Sequence, residues 1–173
     1  MKGEFDAQDS IPETRASNPD CWSFIGTARA AIAQGADTSA PRAVSTEGAP
    51  KAIGPYSQAI AAGGFLFTAG QIGRDPATGK PVEGDIVVQT NRVFDNLEAV
   101  LKAGGCSLAD VVKVTVYLAD LGDFEKMNAA YAKRFGDTRP ARSTVQVAKL
   151  PGGSPIEIDF VARIPEPAKK KPN

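Results

Sequence analysis

The stretch Arg139–Asp159, RPARSTVQVAKLPGGSPIEID, decides how the chain is read. It opens on two strand-like runs, Ser143–Lys149 and Ile156–Ala162, with a Pro/Gly turn between them. Arg142 stands at the start of the first run, and Glu157 sits between two isoleucines in the second. Neither charge belongs in an ordinary strand pair without a reason. A guanidinium offers a planar fork of donors that fits a carboxylate. A carboxylate fixed on a strand can hold a reacting water. Together they predict a site for a small carboxylic acid.

Strand alternation assigns faces to these residues. Val145 and Val147 are expected to face covering helices, leaving Arg142 and Thr144 on the other side. Ile156, Ile158 and Phe160 point one way, with Glu157 and Asp159 opposite them. A hairpin symmetric about Gly152–Gly153 places Glu157 across from Ala148, and Arg142 then lies roughly 20 Å further along. Within that hairpin the two cannot share one small substrate. The expectation is a composite cleft, with Arg142 and Glu157 supplied by different chains.

Working outward, Ser57–Ala62 and Phe65–Ala69 read as a hairpin turning at Gly63–Gly64. Asp75–Gly79 is a turn. Asp85 caps a helix over Ile86–Ala103, stopped by Gly104–Gly105, with Ile86, Val93, Leu97, Val100 and Leu101 on its apolar face. In Val111–Leu118, the residues Val112, Val114, Val116 and Leu118 face one way. A second helix covers Asp123–Phe135 and buries Phe124, Met127 and Tyr131. The order β-β-α-β-α-β-β, with helices on one face of a mixed sheet, is α+β. Its uncovered face predicts self-association, with the site near the interface.

Composition removes several classes of function. The chain has no histidine, so Ser-His-Asp and Cys-His hydrolysis are excluded. Cys21 and Cys106 are too far apart for a zinc knuckle, and two isolated cysteines fit a reducing cytosol. Twenty basic and twenty acidic residues cancel, which argues against a nucleic-acid partner. No apolar run approaches the roughly 20 residues of a bilayer span, and MKGEFDAQDS does not read as a signal peptide. Residues 1–47 read as a disordered extension with one short docking helix between Trp22 and Gly35. The globular domain covers 48–165, and 166–173 is a basic tail.

Four blocks in order resemble the RidA (YjgF-type) family of imine and enamine deaminases. They are Ile53–Gln58, Thr68–Ile72, Arg139–Ser143 and Ile156–Asp159. The resemblance spans about Ala49–Arg163. It implies a chorismate-mutase-like α+β fold, a homotrimer with clefts between subunits, and cytoplasmic hydrolysis of 2-iminobutanoate or 2-iminopropanoate to the 2-keto acid and ammonia. It also implies roles: Arg142 grips the substrate carboxylate, Glu157 orients the water, and Tyr56, Gly70, Asn128 and Thr144 line the cleft. One departure is Ala69, where serine is frequent in the family; the extension is another. Imine carbon is already electrophilic, so orientation by Arg142 and proton handling by Glu157 suffice, with no metal or cofactor.

Two other functions fit the same residues: a non-catalytic trimeric binding or chaperone-like protein, and a ribonuclease or translation inhibitor. Two motifs are decoys. Gly73–Lys80, GRDPATGK, lacks phosphate-loop spacing and has Pro81 after the lysine. Cys106 reads as a small packed residue, since nothing near it in sequence would lower its pKa.

Overall fold

The computed structural model describes residues 40–166. Its elements run β1 (Arg42–Val44), β2 (Ala59–Ala62), β3 (Phe65–Thr68), β4 (Gln71–Ile72), α1 (Ile86–Ala103), β5 (Val111–Leu118), α2 (Phe124–Phe135), β6 (Ala141–Gln146) and β7 (Ile156–Arg163). The sheet order is β1-β2-β3-β7-β5-β6, with β4 beside the far end of β7. All pairs are antiparallel except β5 and β6. That parallel pair follows from α2, which carries the chain back between them. The fold is therefore α+β, one mixed sheet with two helices.

Local chemistry sets most boundaries. The hairpin turns on Gly63 and Gly64 at φ of 58° and 78°, a left-handed pair that suits the twist of the flanking strands. The Asp85 carboxylate accepts hydrogen bonds from the amides of Val87 and Val88, each at 3.0 Å, and starts α1. All five apolar positions expected on α1 are buried, and Phe94 joins them. Phe94 meets Tyr131, Phe135 and Phe160 edge-on, with centroids 5.5–5.7 Å apart, and so ties α1 to α2 and β7. Arg134 of α2 bonds Asp95 and Glu98 of α1. Asp75 caps its turn through Ala77 and Thr78, so Gly73–Lys80 holds a turn, as expected. Cys106 is buried, and burial pushes its thiol up.

Several expectations are corrected. The last two strands are not a hairpin. The chain leaves β6 on one side of β5, passes over the end of β5, and returns as β7 on the other side. Glu157 therefore lies across from Tyr117 of β5 rather than Ala148, and Arg142 lies across from Val114. Val112 faces outward, because a bulge between Val111 and Lys113 puts Val111 into the core instead. Residues 42–44, inside the segment read as an extension, form β1 and pair with β2. The short strand β4 was not anticipated. The docking helix expected between Trp22 and Gly35, and the lysines of the tail, lie outside the described residues.

Candidate functional site

Glu157 is placed by its neighbours on β7. Ile156 and Ile158 are fully buried in the core, which turns Glu157 and Asp159 to the face away from the helices, as strand alternation requires. Along the edge of β7 the ladder is interrupted. β3 pairs with Val161–Arg163, β4 pairs with Glu157 and Ile158, and Thr68–Gly70 steps away between them. The Thr68 hydroxyl accepts from the Phe160 amide at 2.8 Å and replaces the missing rung. The Gly70 backbone lies against the Glu157 carboxylate so closely that a Cβ there would sit 1.9 Å from Oε1. Only glycine fits.

This carboxylate opens on a cavity of about 350 Å³ whose lining includes Tyr56, Ala69, Gly70, Arg74 and Pro151. Gln58 builds one wall. Its amide donates to the carbonyls of Thr46, Ala49 and Pro50 and accepts from the Thr46 amide, pinning the loop that leads to Tyr56. Burial raises the Glu157 carboxyl above its usual range, and the charge of Asp159 adds to the effect. Burial likewise raises Asp159, while the hydroxyls of Thr115 and Tyr117 and the charge of Lys113 hold it back. A second cavity of about 360 Å³ shares Glu157 and Gly70 and adds Tyr117, Lys149 and Asp159. Burial raises the Tyr117 phenol, as does Asp159 beside it. A carboxyl with a raised pKa can exchange a proton nearer neutral pH.

Arg142 lies elsewhere. Its guanidinium carbon sits 4.4 Å from the ring centre of Tyr131 and 5.8 Å from that of Phe124, both on α2. The expected parity of β6 is thus inverted: Arg142 faces the helix layer, and Val145 is 44% exposed on the other face. Pairing β6 with β5 instead of β7 is the physical reason, since the edge strand takes its facing from β5. Arg142 lines a cavity of about 380 Å³ with Asn128, Tyr131 and Arg139. Among the described residues no carboxylate comes within salt-bridge distance of Arg142. Burial raises the Tyr131 phenol, and the Arg142 charge pulls it back down. Thr144, two residues on, keeps a buried hydroxyl without a hydrogen-bond partner among the described residues.

The six residues predicted for the site therefore fall into two groups. Glu157, Tyr56 and Gly70 line one cavity, and Arg142 and Asn128 another on the opposite side of the sheet. Thr144 lies near the second group without lining its cavity. Sequence reasoning missed Gln58 as the wall, Tyr117 as a neighbour of Glu157, and Arg74, and it put Asp159 on the face of Glu157 without assigning it to the site. Asp159 alone carried a signal, being two residues from Glu157 on the same face.

The sequence model of the family described as endoribonuclease L-PSP matches residues 46–164. A RutC family protein of Pyrococcus horikoshii is 59% identical over 117 residues, which is 68% of this chain and 93% of that protein. The human 2-iminobutanoate/2-iminopropanoate deaminase is 46% identical over 121 residues, 70% of this chain and 88% of its own. The crystal structure of RidA from the Antarctic bacterium Psychrobacter sp. PAMC 21119 superposes with a TM-score of 0.69 at 41% identity, covering 71% of this chain and 99% of that one. With its fold, its four sequence blocks and these likenesses in agreement, the chain belongs to the RidA (YjgF-type) family.

Proposed function

We propose that the chain is a 2-iminobutanoate/2-iminopropanoate deaminase that works as a homotrimer with each cleft shared between two chains. Arg142 of one chain holds the substrate carboxylate. Glu157 of another takes a proton from water as the oxygen adds to the imine carbon. Glu157 gives that proton to the imine nitrogen, forming a carbinolamine, then takes the hydroxyl proton and delivers it to the amine as the C–N bond breaks, and a 2-keto acid and ammonia leave. Tyr56 and Gly70 flank the acid, with Asn128 and Thr144 beside the arginine. The observation that carries the reading is the division of the site. A carboxyl with a raised pKa and a guanidinium with no acidic partner among the described residues lie on opposite faces of one sheet, so the two do not meet within one chain. The name of the human relative supports the substrate class.

The test generates 2-iminobutanoate with threonine dehydratase, traps it with semicarbazide, and follows its clearance. Arg142→Ala and Glu157→Gln should each abolish the acceleration. Mixed after dissociation and reassembly, the two inactive variants should recover about a quarter of wild-type activity, since random assortment pairs the intact halves that often in a head-to-tail ring. No recovery with folded, reassembled protein would refute the shared cleft. No clearance by the wild type would favour a binding protein. RNA cleavage lost in Arg142→Ala would favour the nuclease.

A further inference from the structure

The Glu157 cavity contains a cation that the proposed reaction does not use. Arg74 follows β4 and lines this cavity, on the same side of the sheet as Glu157. Its backbone is fixed from two directions. Its amide donates to the Ile72 carbonyl at 2.7 Å, and its carbonyl accepts from Asn96 Nδ2 of α1 at 2.9 Å. The side chain is fixed too. Nη1 donates to the Gly79 carbonyl at 2.8 Å, and Nη2 lies against Gly152, where a Cβ would come within 2.8 Å of it. Nε is buried and has no hydrogen-bond partner among the described residues. Among the described residues no carboxylate pairs with this guanidinium.

With Nη1 engaged and Nε enclosed, Nη2 is the guanidinium nitrogen left to donate a charge-assisted hydrogen bond to a carboxylate. Lys51, the other cation of the cavity, is 78% exposed and lies 3.6 Å from Glu47, so its charge is already screened and paired. Arg74 is the charge that a ligand would feel.

We propose that Arg74 is a specificity residue that seats a second carboxylate, so that the chain takes 2-imino acids whose side chain ends in a carboxylate. The proposal rests on the deaminase reading, in which Arg142 holds the first carboxylate. The side chain of such a substrate would lie along the cavity from Glu157 toward Arg74.

The experiment compares 2-iminobutanoate with 2-iminosuccinate, the latter made in situ from aspartate by an aspartate oxidase in the presence of catalase. Arg74→Met and Arg74→Gln both remove the charge, and the glutamine keeps a donor for the Gly79 carbonyl should the first variant fold poorly. kcat/KM for the dicarboxylic imine should fall roughly 10- to 100-fold further than that for the monocarboxylic one, the scale of a lost charge-assisted hydrogen bond. In parallel, calorimetry measures oxaloacetate against 2-oxobutanoate. The variants should weaken the dicarboxylate selectively by a similar factor. Equal losses on both substrates, with unchanged oxaloacetate affinity, would overturn the proposal. If neither imine is cleared yet oxaloacetate binding depends on Arg74, the anion seat stands and the deaminase reading fails.

Discussion

Replacing Gly70 with alanine tests whether the position of Glu157 matters apart from its presence. The added methyl would lie 1.9 Å from Oε1, 2.7 Å from Cδ and 2.9 Å from Cγ of Glu157. Reaching even a 3.0 Å contact requires the carboxylate oxygen to move about 1.1 Å, the difference between 3.0 and 1.9. The strand cannot slide to allow this, because Ile156 and Ile158 on either side are fully buried. The side chain must therefore swing out of its place. A misplacement of about 1 Å costs on the order of 100-fold in rate, while the overpacking costs about 1–3 kcal/mol of stability. The assay is imine clearance under semicarbazide trapping, with urea unfolding in parallel. Gly63→Ala is the control. It has nothing within 4 Å and a φ of 58°, so it should lose about 1 kcal/mol of stability and keep its rate. A folded Gly70→Ala protein that clears imine within threefold of wild type would refute the argument.

Burial, reinforced by Asp159, raises the Glu157 carboxyl above its ordinary 4.5, so the folded chain keeps a proton that the unfolded chain releases. Wild-type stability then falls as pH rises from 4.5 through the folded value. Glu157→Gln should melt above wild type at pH 7, with the gap closing below pH 4.5; equal melting at pH 7 would contradict the burial. Asp159→Asn removes the like charge and leaves Lys113, Lys149 and Tyr117 in place, so the acid limb of kcat/KM should move to lower pH. An unmoved limb would leave burial as the sole cause. Phe94→Ala breaks the aromatic contacts between the helices and β7 and should cost about 3–5 kcal/mol in urea unfolding; a loss under 1 kcal/mol would mean that the cluster repacks. Asp85→Ala should cost about 1 kcal/mol by removing the two amide hydrogen bonds at the start of α1, read by the same titration.

Where local chemistry decides, the sequence was legible. Asp85 and Gly104–Gly105 bracket α1 on both ends, and Gly63–Gly64 marks the hairpin, because caps and turns depend on residues a few positions apart. Glu157 could be assigned its face from Ile156 and Ile158 alone. Arg142 could not, because an edge strand has no such pattern: ARSTVQ lacks a buried apolar alternation, and its facing comes from β5, far away in the chain. The same gap hid the crossover. A Pro/Gly loop such as PGGS suits a hairpin, and nothing local records that β5 already occupies the place beside β7. Arg74 was invisible for a related reason. Its chemistry depends on Gly79, Asn96 and Gly152, which only the fold brings together. Gln58 stood inside a quoted motif, yet its task as the staple of residues 46–50 is a matter of three-dimensional reach.

The placement of Arg142 and Glu157 on opposite faces has a consequence for the isolated chain. A free guanidinium and a raised carboxyl on the same surface would find each other, and the resulting ion pair would neutralise both. Here the sheet is a partition. The backbone of β5 and the buried side chains of Val114, Val116 and Ile158 stand between them, so no side-chain rotation joins the two. Each folded chain thus carries a cation and a carboxyl that cannot quench one another, one presented on each face of the sheet.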